Sequence, residues 1–108
     1  MSTYLKITVN VPVEDAQKLR DALGTAGAGR IGNYKHGSFS TTGIGRGIGL
    51  NGAHPTKGKV GVLEEVEEEK IETLCKEEQL SNIIKVIKEI HPYEEPIIIY
   101  YPVEIVDF

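Results

Sequence analysis

Between residues 91 and 96 the chain reads His91-Pro92-Tyr93-Glu94-Glu95-Pro96, and two prolines at that spacing leave the flanking backbone little choice. Each proline pushes the residue before it out of the α region, so His91 and Glu95 must be extended. A helix arriving from the N-terminal side has to stop here, and an extended segment has to begin. Before the corner, Glu78 to Ile90 places Leu80, Ile83, Ile84, Ile87 and Ile90 on one stripe, which predicts an amphipathic helix. After it, Ile97-Ile98-Ile99-Tyr100-Tyr101 and Val103-Glu104-Ile105 predict a hydrophobic strand. Pro102 brings no amide hydrogen, which suits an edge, a bulge or a subunit border better than a ladder centre. The corner holds an imidazole, a phenol and two carboxylates on stiff backbone. Such a cluster suits a ligand or metal site, and equally a well-made helix-to-strand junction.

The first half supplies the matching elements. Leu5, Ile7, Val9 and Val11 alternate with Lys6, Thr8 and Asn10, which predicts a strand over Tyr4 to Val11 with one buried face. Val13, Ala16, Leu19, Leu23 and Ala26 then recur at helical spacing after Pro12, with Glu14 and Asp15 early, where acids suit a helix N-terminus. Gly24 and Gly27 end that helix. Gly27-Ala28-Gly29-Arg30-Ile31-Gly32 has the glycine spacing of a dinucleotide fingerprint, but it follows a helix and precedes a strand, the reverse of what a pyrophosphate site needs. These glycines are turn-formers.

A second strand is expected over Asn33 to Thr41, with Tyr34, His36, Ser38 and Ser40 on one face. Thr42 to Lys59 lacks periodicity and carries Gly43-Ile44-Gly45-Arg46-Gly47-Ile48-Gly49, so it is expected to be a flexible loop that exposes backbone N–H groups. Ligand contact, subunit contact and plain disorder all fit such a loop. Further on, a short extended piece near Val60 to Val66 and a strand from about Glu69 to Cys75 are expected. The order strand, helix, strand, strand, helix, strand predicts a single α+β domain over 1–108. Its economical form is ferredoxin-like βαββαβ, a four-stranded antiparallel sheet with two helices on one face. The sheet's other face would be bare. A bare face rich in Tyr and Ile predicts a homo-oligomer, and we expect a trimer.

Charge is distributed unevenly. The formal net charge is −4, yet Ala22 to Leu63 contains no Asp or Glu and holds Arg30, Lys35, Arg46, Lys57 and Lys59. All twelve glycines lie in the same basic middle, from Gly24 to Gly61. A net acidic chain is a poor partner for nucleic acid or an anionic membrane surface, and neither is expected. The single Cys75 cannot form an internal bridge, and no signal peptide or membrane-length apolar run is seen. A cytoplasmic location follows as an expectation, with Cys75 a packed strand residue.

Several runs together resemble the inserted domain of the Nif-three-like (YqfO-type) superfamily. They are Gly27-Ala28-Gly29-Arg30-Ile31-Gly32-Asn33-Tyr34, then Ser38-Phe39, Gly43-x-Gly45, Gly58 and Gly61 before Glu65, Ile71-Glu72, and the terminal hexapeptide. The likeness covers almost the whole chain in order, and it implies a stand-alone version of that domain with a trimeric CutA/PII-like fold. The two-metal centre of larger family members belongs to a separate domain, so no hydrolase site is implied here. Where the family often has Cys, this chain has Gly37, which removes any thiol role there.

The expected function is a small trimeric protein of the CutA/PII type that binds a small anionic ligand or a metal ion at clefts between subunits. Candidate ligand residues are Arg30, Tyr34, Gly43, Gly45, Arg46, Lys57, Lys59 and Tyr93, since charge-assisted bonds from Arg and exposed backbone N–H groups anchor anions. Candidate ligands for a divalent metal ion are His36, His91, Glu94 and Glu95. A purely structural oligomerisation module is the alternative. A metal-dependent enzyme is the weakest reading, because no nucleophile, oxyanion loop or cofactor fingerprint accompanies the corner.

Overall fold

The computed structural model describes residues 1–108. Strand β1 (Ser2–Pro12) turns its alternation into burial, with Ile7, Val9 and Val11 inside. Helix α1 (Val13–Thr25) follows at once and buries Ala16, Leu19 and Leu23 against them. It ends in a Schellman arrangement: Gly27 takes φ +102° and donates its N–H to Gly24, while Ala28 donates to Leu23. The chain then crosses back under the end of the sheet, where Gly29 N–H bonds the Leu74 carbonyl at 2.7 Å and Gly37 N–H bonds the Gly29 carbonyl at 3.1 Å. Gly29 has φ +80°, and any side chain there would strike the Gly37 backbone.

Strands β2 (Phe39–Ile48) and β3 (Leu63–Cys75) form an antiparallel hairpin with unbroken register from Phe39↔Glu72 to Ile48↔Leu63. Two expectations need correction here. Residues 33–38 are turn and loop, and the second strand occupies Phe39–Ile48, so the glycine-rich stretch is strand rather than flexible loop. β3 is also one strand and not two pieces. The reason is mutual: each strand supplies the other's backbone with partners, so a glycine at every second position costs packing on one side without breaking the ladder.

A single 3₁₀ turn (Glu77–Gln79) leads into helix α2 (Leu80–Ile90), which buries Ile83 and Ile87. His91 is extended at φ −65°, ψ 132°, as Pro92 requires. Strand β4 (Ile98–Ile105) pairs antiparallel with β1 at the sheet edge, and Pro102 sits in it opposite Leu5. The sheet order is β2-β3-β1-β4. One core joins both helices to one sheet face through Ile7, Val9, Leu19, Ile71, Ile83 and Ile87, with Cys75 packed among them. On the other face Ile99 and Tyr101 lie opposite Thr8 and Lys6 and remain 52% and 42% exposed. No helix is long and apolar enough to cross a membrane.

β1 pairs with β3 only from Glu68 onward, so residues 44–48 and 63–67 continue as a two-stranded arm. The molecule is accordingly long, 49 × 24 × 21 Å, with a radius of gyration of 15.0 Å. A compact chain of this size would have about 13 Å.

Candidate functional site

The arm does not stand free, because the corner after α2 reaches its base. The His91 ring is 6% exposed. Its Nε2–H donates to the Asn10 carbonyl at 2.7 Å, and its Nδ1 accepts the Tyr93 N–H at 3.1 Å. The two bonds fix the tautomer and leave the ring no lone pair for a metal. Tyr93 stacks at a tilt on that ring, 4.9 Å between centroids, and its hydroxyl donates to Glu68 Oε2 at 2.7 Å. Burial pushes the Tyr93 phenol well above its ordinary value, helped by the Glu68 bond and by the charges of Glu68, Glu14 and Asp15. Glu68 is 8% exposed and overhangs Gly45, where any Cβ would overlap its carboxylate. Gly43 and Gly47 face open space.

A cleft of about 300 Å³ lies between the arm, the loop after β2 and the corner. Gly45, Gly47 and Gly49 give it bare backbone, and Arg46, Lys57, Lys59, Glu64, Glu68, Tyr93, Glu94 and Glu95 surround it. The glycine-rich segment and the hexapeptide therefore meet within one chain. Of the expected ligand residues, Gly45, Arg46, Lys57, Lys59 and Tyr93 line this cleft, as do Glu94 and Glu95 from the expected metal set. The cations are less free than their sequence neighbourhood suggested. Arg46 pairs with Glu65 at 3.0 Å and Lys57 with Glu14 at 2.6 Å, which pushes the Lys57 amine up and the Glu14 carboxyl down. Lys59 alone among the three has no acidic partner.

Gly43 is in β2 outside the cleft, and Arg30, Tyr34 and His36 lie in the crossing segment by Leu74, roughly 20 Å along β3 from Glu68. Tyr34 is 81% exposed, Arg30 bonds only the nearby Gly32 carbonyl, and the His36 ring lies against Gly24. His36 and His91 do not meet in the chain, and no group of three or more His, Cys, Asp or Glu side chains comes within reach of one metal ion. The sequence alone does not single out Glu68, Glu14 or Thr56. Nothing in the acidic run from Glu64 to Glu69 sets Glu68 apart until Pro12 lies beside it and Tyr93 reaches it.

No protein-family model matches the chain. It is 46% identical over 99 residues to a Bacillus subtilis GTP cyclohydrolase 1 type 2 homolog, a match that covers 92% of this chain and 26% of the relative. The chain thus spans about a quarter of the length of the curated relatives it matches. Among solved structures, a Bacillus cereus protein related to NIF3 superposes with a TM-score of 0.82 at 41% identity, over 94% of this chain and 26% of that one. The periplasmic divalent cation tolerance protein CutA from Archaeoglobus fulgidus superposes with a TM-score of 0.66 at 16% identity, over 97% and 87% of the two chains, which shows a shared fold.

Proposed function

We propose, from the premise that this chain is a version of the inserted domain of the Nif-three-like superfamily with a CutA/PII-like fold, that it is a trimeric binding module whose cleft takes a small anionic ligand. The observation that carries the reading is the cleft itself, where bare strand backbone, an unpaired Lys59 and a rigid corner converge from distant parts of the chain. Arg46 and Lys57 are held only by surface ion pairs, which contribute little, so an anion can draw them from Glu65 and Glu14 at small cost. Assembly is favoured by the uncovered sheet face around Ile99 and Tyr101 and by the free outer edges of β2 and β4. On this reading Arg30, Tyr34 and His36, which lie away from the cleft of their own chain, belong to the cleft of a neighbouring copy. A divalent ion held by Glu94 and Glu95 needs such a neighbour to complete its ligand set. A lone buried thiol suits a cytoplasmic setting.

Two measurements test this. Light scattering is expected to give three times the chain mass of 11.9 kDa, and a monomer in dilute solution would remove the assembly. Titration calorimetry with phosphate, nucleotides and phosphorylated metabolites is expected to give saturable heat that Lys59→Ala weakens about tenfold. Heats no larger than the buffer blank across the panel would leave the structural oligomerisation module as the better description.

A further inference from the structure

The loop that joins β2 to β3 is fastened to the rest of the molecule by polar contacts that all fall within four consecutive residues. His54 donates its backbone N–H to Glu94 Oε1 at 2.8 Å, Thr56 donates its hydroxyl to the Pro92 carbonyl at 2.7 Å, and Lys57 reaches Glu14 at 2.6 Å. Two of the three acceptors belong to the proline corner. That corner is itself immobilised, because His91 is tied to Asn10 and Tyr93 to Glu68. The fastened residues form a wall of the cleft, with Ala53, Pro55 and Thr56 among its lining. The base of the loop is tied by a β-bridge between Gly49 and Val60, with the Gly61 N–H on the Gly49 carbonyl at 2.8 Å, and between that tie and the strap Gly52 and Gly58 take φ of +97° and +79°. Such residues let a loop swing about its ends.

We propose that residues 54–57 form a strap, and that the proline corner holds it closed along the cleft as a fixed clasp. Opening exchanges two hydrogen bonds and one exposed ion pair for water and leaves the ladder of β2 and β3 intact. Local openings of this kind lie at the low end of a protein's stability range. The strap's effect on ligand entry rests on the binding reading above; the clasp does not.

Limited trypsin digestion of the ligand-free full chain reads the clasp directly, since Lys57 and Lys59 sit in and just beyond the strap. When reclosing is faster than cleavage, the cutting rate follows the open fraction. Each lost hydrogen bond raises that fraction about fivefold, so Thr56→Ala with Glu94→Ala is expected to speed cleavage at these lysines on the order of 25-fold. Thr56→Ser and Glu94→Gln keep a hydroxyl donor and a carbonyl acceptor and are expected to stay near the wild-type rate. Amide exchange over β1 shows whether each variant remains folded. Cleavage of the folded double variant within twofold of wild type would overturn the strap, and so would the conservative pair cutting as fast as the alanine pair. A loose strap leaves the calorimetric test of binding untouched, and an empty ligand screen leaves the clasp measurable.

Discussion

Replacing Tyr93 with Phe removes one oxygen and keeps the ring against His91, so it isolates the bond to Glu68. That bond is 2.7 Å long and its acceptor is 8% exposed, which leaves water little room to take the hydroxyl's place. A hydrogen bond to a charged group contributes about 1.5–3 kcal/mol, and about 2 kcal/mol is the expected loss for Tyr93→Phe. With an unfolding entropy near 2.1 cal/mol/K per residue, that loss corresponds to roughly 9 °C in the melting temperature of a chain this size. The comparison must be made at one protein concentration, because assembly links stability to concentration. A double-mutant cycle with Glu68→Ala, which leaves the hydroxyl no acceptor, separates the bond from generic packing and is expected to show coupling of about 1 kcal/mol or more. A coupling below about 0.3 kcal/mol, with both single variants folded, would refute the idea that this pair ties the corner to the arm.

Two further outcomes follow from the same contacts. Gly45→Ala has to displace the Glu68 carboxylate and is expected to cost about 1–3 kcal/mol, whereas Gly47→Ala meets open space and is expected to stabilise by up to about 1 kcal/mol; urea midpoints of the same sign and size for both would contradict the packing described. The Tyr93 phenol is raised from its ordinary value of 10.0, so its contribution is complete below about pH 10, where folded and unfolded chains both hold the proton. Above that the unfolded chain loses it first, so stability falls with rising pH by at most about 1.4 kcal/mol per unit, and urea titrations are expected to show this extra slope in wild type and not in Tyr93→Phe.

What could be read from residues alone divides along a physical line. β1, α1 and α2 have one buried face each, so burial wrote a period into their side chains, and the corner declared itself through Pro92 and Pro96. β2 has no such period, since its alternate positions are glycines with nothing to bury, and what makes it a strand is the partner fifteen or more residues away in β3. The acidic start of β3 was equally opaque, because Glu64 to Glu67 face the arm and its surroundings, not the core. Charge misled in a related way. A basic middle segment implied free cations, but Glu14 and Glu65, from outside that segment, neutralise two of them. Contacts of that range leave no local mark.

The hexapeptide that looked most like a site turns out to spend its polar groups on the fold. The Nε2 of His91, the hydroxyl of Tyr93, the carbonyl of Pro92 and one oxygen of Glu94 have partners on β1, β3 and the loop after β2, and His91 Nδ1 is taken by the Tyr93 N–H within the corner itself. A stiff backbone is what such a fastening needs, since a flexible corner would spend its bonds on its own ordering entropy. The residues left with unspent capacity lie elsewhere around the cleft: Lys59, the bare backbone at Gly47, and Arg46 and Lys57 once their weak surface pairs exchange. On the binding reading proposed above, recognition belongs to those residues and rigidity to the corner, which fixes where the walls of the cleft stand.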